Sequence, residues 1–291
     1  MTTRVLVLGS SGRIGTLLRR SWAQSDGAVA QPETEFVFQT RHATAEHTQD
    51  ILWDPLQEPS SSVVTAGPFD CMIVLSGIVP KPSADFTLNT TIAIASITAA
   101  ARLGIGHVLL ASTSAVYGNY SDSPFAENAP LKPVNDYGRS KLEMEQAAQA
   151  HARASGVGLC CLRIGNVAGA DALLCNGAAL APGETLTLDY FSDGGTPERS
   201  YIGPKSLACV FRSLVAQRDS LPSALNIATP QPVTMRALAE AAQMPLVLVR
   251  ANEEGHQHIT LDCAALEALH QFAAKETTPA EMVRQWKDLR Q

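Results

Sequence analysis

An α/β fold built on a doubly wound parallel sheet is predicted from three observations. Short, continuously apolar runs alternate with helical patterns through the first half of the chain. Those runs do not alternate apolar with polar, as strands with one wet face do, so both faces of the sheet are expected to be covered by helices. A cluster of glycines sits where the first apolar run meets the first helical pattern, at Gly9, Gly12 and Gly15.

The elements follow in order. Arg4–Leu8 reads as a strand and Ile14–Trp22 as the helix after it; Glu35–Gln39 and Ile51–Trp53 read as further strands. Cys71–Leu75 precedes a helix over Phe86–Leu103, His107–Ala111 precedes a helix over Tyr137–Ala154, and Gly158–Ile164 is a sixth strand. After Gly169 the rhythm breaks into a loop-rich stretch with short mixed elements. Residues 1–169 are therefore expected to form one domain, and 170–291 a smaller substrate-side region. The helix Pro204–Ala216 and the strand Leu225–Ala228 are candidates to return to the main sheet, and the last helical pattern is Ala280–Leu289.

Bulk composition excludes some partners. With 22 Lys and Arg against 28 Asp and Glu the net charge is −6, which argues against a nucleic-acid or anionic-membrane surface. No apolar run approaches the ~18 residues of a membrane span, and MTTRVLVLGSSGRIG lacks the pattern of a secretory signal, so a cytoplasmic protein is expected. The six cysteines form no CxxC pair and several lie in strand-like runs, the pattern of buried free thiols. His256 and His258 lack a third ligand at a recognisable spacing and are expected to be exposed loop histidines, with no metal bound.

The glycine cluster carries chemistry. In Gly9-Ser10-Ser11-Gly12-Arg13-Ile14-Gly15 the first glycine permits a tight turn, the second lets backbone N–H groups approach a pyrophosphate, and the third lets helix and strand pack closely. A dinucleotide is the expected ligand, contacting Gly9, Ser11, Gly12, Arg13, Ile14 and Gly15, with Leu75, Ser76 and Gly77 after the fourth strand. The second strand ends Gln39-Thr40-Arg41 with no carboxylate to accept bonds from a ribose 2′-OH. Arg41 and Arg13 together would clamp a 2′-phosphate, so NADP is preferred over NAD; solvated loop arginines are the alternative.

Tyr137 and Lys141 are four residues apart, which on a helix puts them on one face. A phenol titrates at about 10 when unperturbed, and a neighbouring ammonium favours its ionised form. The lysine is thus expected to tune the tyrosine for proton transfer during the oxidation or reduction of an alcohol carbon.

The GxxGxxG spacing, with ASTSAVYG, DYGRSK, LRIGNVAG and ERSYIG in order along nearly the whole chain, resembles the extended short-chain dehydrogenase/reductase superfamily and its NAD(P)-dependent epimerase/dehydratase family. The resemblance implies a Rossmann-like fold and Thr113 as the catalytic hydroxyl beside Tyr137 and Lys141. It also implies that Lys141 holds the nicotinamide ribose, that Asp54 contacts the adenine, and that Asn166 and Arg199 hold a substrate diphosphate. A surface ion pair of Arg199 with Glu198 or Asp193 is the alternative, and Asn89 is expected to be structural. A homodimer through the helices Phe86–Leu103 and Tyr137–Ala154 is implied too. Relatives that eliminate water carry Asp-Glu directly after the threonine; here Ser114-Ala115 stand there, which disfavours a 4,6-dehydratase. The expected activity is oxidoreduction or epimerisation at a secondary alcohol of a sugar, with a nucleotide sugar as the expected substrate. The rivals are a reductase or dehydrogenase for a small carbonyl or sugar acid, and a cofactor-binding regulator without turnover.

Overall fold

The computed structural model describes residues 2–24, 34–42, 48–252 and 255–290. Its first half runs β1 (Thr3–Leu8), α1 (Arg13–Gln24), β2 (Thr34–Thr40), β3 (Ile51–Leu52), α2 (Ser61–Ala66), β4 (Cys71–Val74), α3 (Leu88–Arg102), β5 (His107–Thr113), α4 (Asp136–Ser155) and β6 (Gly158–Ile164). The remainder is β7 (Asn166–Val167), α5 (Ala172–Ala178), β8 (Leu186–Tyr190), β9 (Glu198–Arg199), β10 (Tyr201–Ile202), α6 (Pro204–Ala216), β11 (Ala224–Ile227), β12 (Val233–Thr234), α7 (Met235–Ala242), β13 (Leu246–Arg250), β14 (His258–Ile259), α8 (Ala264–Glu267) and α9 (Pro279–Asp288).

Seven strands form one parallel sheet in the order β11-β6-β5-β4-β1-β2-β3. Val5 to Leu8 and Cys71 to Val74 have no exposed surface, because helices cover both faces of these central strands. Chain order reverses at β1, where β2 lies on one side and β4 on the other. Such a switch opens a crevice at the carboxyl ends of the strands, where ligands bind in this architecture.

Two anchors set helices against that sheet. Trp22 on α1 stacks on Phe36 at 3.7 Å and donates its indole N–H to the Ala208 carbonyl of α6 at 3.1 Å. Burying an aromatic side chain of this size stabilises by roughly 2–3 kcal/mol. Helix α4 begins at Asn135, whose side chain accepts from the Gly138 N–H at 2.8 Å, and ends at Gly156 with φ +68°. These are the N-cap and left-handed C-cap signals that stop a helix at both ends.

Some boundaries move for local reasons. The helix expected over Phe86–Leu103 starts at Leu88, because the Asp85 carboxylate accepts from the Thr87 N–H and hydroxyl and holds residues 85–87 in a turn. The strand expected over Ile51–Trp53 stops at Leu52, and Trp53 instead donates its indole to the carbonyls of Gln57 and Glu58. Residues past 169 do return to the main sheet: β11 pairs with β6, and α6 packs on α1. The rest form small sheets, β7 with β10, β8 with β13, and β12-β9-β14.

Two expectations need correction here. Cys71, Cys160, Cys161 and Cys263 are buried free thiols, but Cys209 is exposed on α6 and Cys175 is half-buried. His258 is not an exposed loop residue: it lies in β14, half-buried, with Nδ1 2.8 Å from Glu198 Oε2. His256 is half-buried as well. Among the described residues no helix is long and apolar enough to cross a membrane.

Candidate active site

The glycine loop is shaped by close backbone approach. Gly9 has φ +80°, and a Cβ there would fall 2.5 Å from the Ser76 nitrogen and 2.8 Å from the Leu75 carbonyl carbon. A Cβ on Gly15 would fall 2.5 Å from the Gly9 oxygen, and the Gly12 N–H donates to that same oxygen at 3.1 Å. Only glycine at these places lets the start of α1 close on β1 and leave a cradle for an anionic group at the helix N-terminus. A dinucleotide pyrophosphate fits that cradle.

Gly9, Ser11, Gly12, Arg41, Asp54, Leu75, Ser76 and Gly77 line one cavity of about 210 Å³. At the end of β2, Gln39 is buried, donating to the Trp53 carbonyl and accepting from the Gly9 N–H at 3.5 Å. The Thr40 hydroxyl donates to the His42 carbonyl, which leaves exposed Arg41 as the cation of the rim. Arg13 does not join Arg41: it is absent from the lining, and its guanidinium donates to the Ala170 carbonyl at 3.3 Å. The two-arginine clamp is therefore corrected to a single arginine. Ile14 is also outside the lining and packs on the hydrophobic core.

Thr113 ends β5, Tyr137 opens α4, and Lys141 follows one turn later. Thr113 Oγ1 accepts from the Ala115 N–H at 3.2 Å, a strand-end bond, and the same hydroxyl lies near enough to the Tyr137 phenol to favour its ionised form. Burial pushes Tyr137 above its ordinary value, against the pull of Thr113 and of the Arg13 charge. Lys141 is not among the groups that pull it down. Its ammonium, 5% exposed, donates to the Ala111 carbonyl at 2.9 Å and lies 3.5 Å from where a Cβ of Gly77 would stand. Burial lowers Lys141 to about 8, with Glu145 opposing. At Tyr137 burial dominates, Thr113 and the Arg13 charge oppose it, and the Lys141 ammonium lies beside Gly77 of the cavity wall, so tuning of the tyrosine by the lysine stays an expectation. Asn89 is structural, accepting from the Ile78 N–H at 2.8 Å and donating to Ser140 Oγ at 3.1 Å.

On the other side of Thr113 lies a second cavity, of about 300 Å³, lined by Thr113, Ser114, Ala115, Asn166 and Arg199 among others. Arg199 is half-buried, and its guanidinium donates to three backbone carbonyls: Glu198 at 2.7 Å, Gln257 at 2.8 Å and His256 at 3.0 Å. Burial lowers its pKa, and among the described residues no carboxylate pairs with it. The Glu198 carboxylate is with His258, and Asp193 is with Gln257 and the Gly195 N–H, so neither ion pair considered for Arg199 forms.

A polar network under this site went unread in the sequence. Arg163 on β6 holds Glu145 on α4 with Nη2 to Oε2 at 2.8 Å and Nε to both carboxylate oxygens at 3.2 Å. The same guanidinium donates to Tyr117 Oη at 3.0 Å and to the Glu127 carbonyl at 2.9 Å, and Tyr117 donates to Asn226 Oδ1 at 2.7 Å. An arginine inside the apolar run LCCLRI was the available signal, since a charge in a two-sided buried strand needs a partner.

Fold and site together define a dinucleotide-dependent enzyme class, and residues 5–188 match the profile of the NAD dependent epimerase/dehydratase family. The chain belongs to that family of enzymes. It is 30% identical over 239 residues to UDP-glucose 4-epimerase of Streptococcus mutans, covering 70% of this chain and 69% of that one. It is 41% identical over 99 residues to the UDP-glucose 4-epimerase of Azospirillum brasilense, covering 34% of this chain and only 28% of that enzyme. The fold matches the crystal structure of UDP-glucose 4-epimerase from Brucella ovis in complex with NAD with a TM-score of 0.78, at 19% identity over 99% of this chain and 98% of that one.

Proposed function

We propose that the protein oxidises and reduces, or epimerises, a secondary alcohol on the sugar of a nucleotide sugar. The observation that carries this reading is Arg199, a desolvated cation held by carbonyls and facing the cavity that contains Thr113 and Asn166. An arginine that no carboxylate among the described residues pairs with is available for a bidentate grip on phosphate. In this reading Tyr137 moves the hydroxyl proton, Thr113 orients the reacting oxygen, and Lys141 holds the cofactor ribose. In the direction that oxidises the alcohol Tyr137 takes the hydroxyl proton, and in the direction that reduces the ketone it returns it; burial favours its protonated form. The nicotinamide, when bound, supplies the hydride exchange. Ser114 and Ala115 line the cavity without a carboxylate, which speaks against water elimination at that point.

The cofactor reading remains NADP over NAD, now resting on Arg41 alone. Asp54 in the same cavity and the NAD named for the Brucella structure are the arguments for NAD. A homodimer through the outward faces of α3 and α4 belongs to the same proposal; a monomeric mass in light scattering at micromolar concentration counts against it.

The test is titration of UDP, dTDP, GDP and ADP into wild type and Arg199→Ala at saturating cofactor. One diphosphate should bind the wild type, and the variant should lose about tenfold to a hundredfold in affinity, the range for a charged hydrogen bond worth ~1.5–3 kcal/mol. If none of the four binds the wild type, the nucleotide-sugar reading fails. The small-carbonyl reductase, which the modest cavity volume favours, then takes its place.

A further inference from the structure

Helix α4 presents Tyr137, Lys141 and Glu145 at successive turns along one face, and the end of β5 meets each of them. Thr113 meets the tyrosine, the Ala111 carbonyl accepts from Lys141 at 2.9 Å, and Ser112 Oγ donates to Glu145 Oε1 at 2.5 Å. Glu145 is 2% exposed and Arg163 5%, so the carboxylate that Ser112 and Arg163 hold is shut away from solvent beside a shut-away ammonium. Ser112 from β5 and Arg163 from β6 thus converge on one carboxylate of α4, one turn from Lys141. We propose that Glu145, oriented by Arg163 and Ser112, is a positioning residue that keeps the buried Lys141 ammonium charged and directed at the dinucleotide cavity.

The physical argument is one of desolvation. An ammonium in a buried site drifts toward its neutral form unless a negative charge stands nearby. The groups facing Lys141 are Tyr137 and Met144 on its own helix, Ala111 and Ser112 on β5, Gly77 with Asn89 behind it, and Cys161 and Arg163 on β6. The two facing β6 groups keep fixed states: burial pushes the Cys161 thiol above its ordinary value, and Arg163 stays charged against the cost of burial because Glu145 and Tyr117 hold it. Glu145 is the nearby carboxylate that opposes the cost for Lys141. A neutral Lys141 would keep only its donation to Ala111 and lose its charge toward the ribose and phosphates. The role rests on the reading of Lys141 as the cofactor-ribose lysine, but its test needs no substrate and no cofactor.

Lysine labelled with ¹³C at Cε reports ionisation directly, and the chain has six lysines, so Lys141 can be assigned by its loss in Lys141→Arg. In the wild type the Lys141 signal should titrate near pH 8. In Glu145→Gln the midpoint should fall by about one pH unit or more, a tenfold change in the proton equilibrium, while the other five lysines stay put. A structural loosening gives the opposite sign, because a lysine let out to water titrates higher, toward its ordinary value near 10.4. An unchanged or raised midpoint therefore overturns the proposal. Glu145→Gln leaves the Arg163 charge without its partner and puts folding at risk, so Glu145→Gln/Arg163→Met is measured beside it. There a smaller fall is expected, and no fall likewise overturns the proposal. Failure here with diphosphate binding intact at Arg199 removes the role of Glu145 and leaves the functional reading standing; the reverse outcome separates them the other way.

Discussion

The glycine-loop cavity and the cavity beside Thr113 are built from different materials. The dinucleotide side is made of backbone and small residues. Gly9 and Gly15 approach their neighbours so closely that a single added Cβ would collide with main chain. The substrate side is made of side chains delivered by short elements: Asn166 on a two-residue strand, and Arg199 on another, steadied by the carbonyls of residues 256 and 257. A cavity of backbone tolerates little change in sequence. One of side chains can be retuned by single substitutions, which is how a common scaffold serves different substrates.

The largest effect that would sharpen this contrast is expected at Tyr137, at the start of α4. Tyr137→Phe removes the phenol and keeps the ring that packs near Phe86 at 5.9 Å. Turnover should fall by about two to four powers of ten, the range for a lost general acid or base, with cofactor affinity unchanged. Wild-type turnover in the variant, once a substrate is in hand, would end the assignment.

Next comes Gly9→Ala, a test of the backbone-built side. The added methyl meets the Ser76 nitrogen and the Leu75 carbonyl at a φ of +80°, for a combined cost of roughly 2–4 kcal/mol in strain and overpacking. NADH and NADPH fluorescence titrations should show binding weakened at least thirtyfold, together with a lower melting temperature. Unaltered binding would mean that the loop does not cradle the cofactor as its geometry suggests.

The smallest effect is expected at Arg41, the side chain on which the proposed NADP preference rests. Arg41→Asp should weaken NADPH by about tenfold to a hundredfold and leave NADH nearly as it was, since it turns a phosphate partner into a like charge. Equal losses for both cofactors would show that Arg41 reads something other than a 2′-phosphate.

The same contrast explains what could be read before the structure was seen. The glycine loop was legible because backbone approach imposes residue type at each position. The core strands were legible because two-sided burial demands unbroken apolar runs such as Val5–Leu8. The substrate side was reached only through motif resemblance, since nothing local in ERSYIG says that Arg199 will be held by carbonyls some fifty-eight residues away. The separation of Arg13 from Arg41 was invisible for a related reason. Both lie at the ends of neighbouring elements, and only the course of the chain at Ala170 draws Arg13 aside. Glu145 and Arg163 were missed because a helix pattern and a strand pattern each accommodate one charge without revealing that the two meet.

The pairing of β11 with β6 has a consequence for how the chain acquires its shape. During vectorial synthesis β6, ending at Ile164, is made about sixty residues before the strand that covers its free edge, Ala224–Ile227. Until then its outer row of peptide groups, flanked by Cys161 and Leu162, stands open as a template for any passing strand. Arg163, in the middle of that edge, already holds Glu145 and the Glu127 carbonyl from residues made earlier. The order of synthesis thus leaves the edge of β6 to be closed late, by a strand from the second half of the chain.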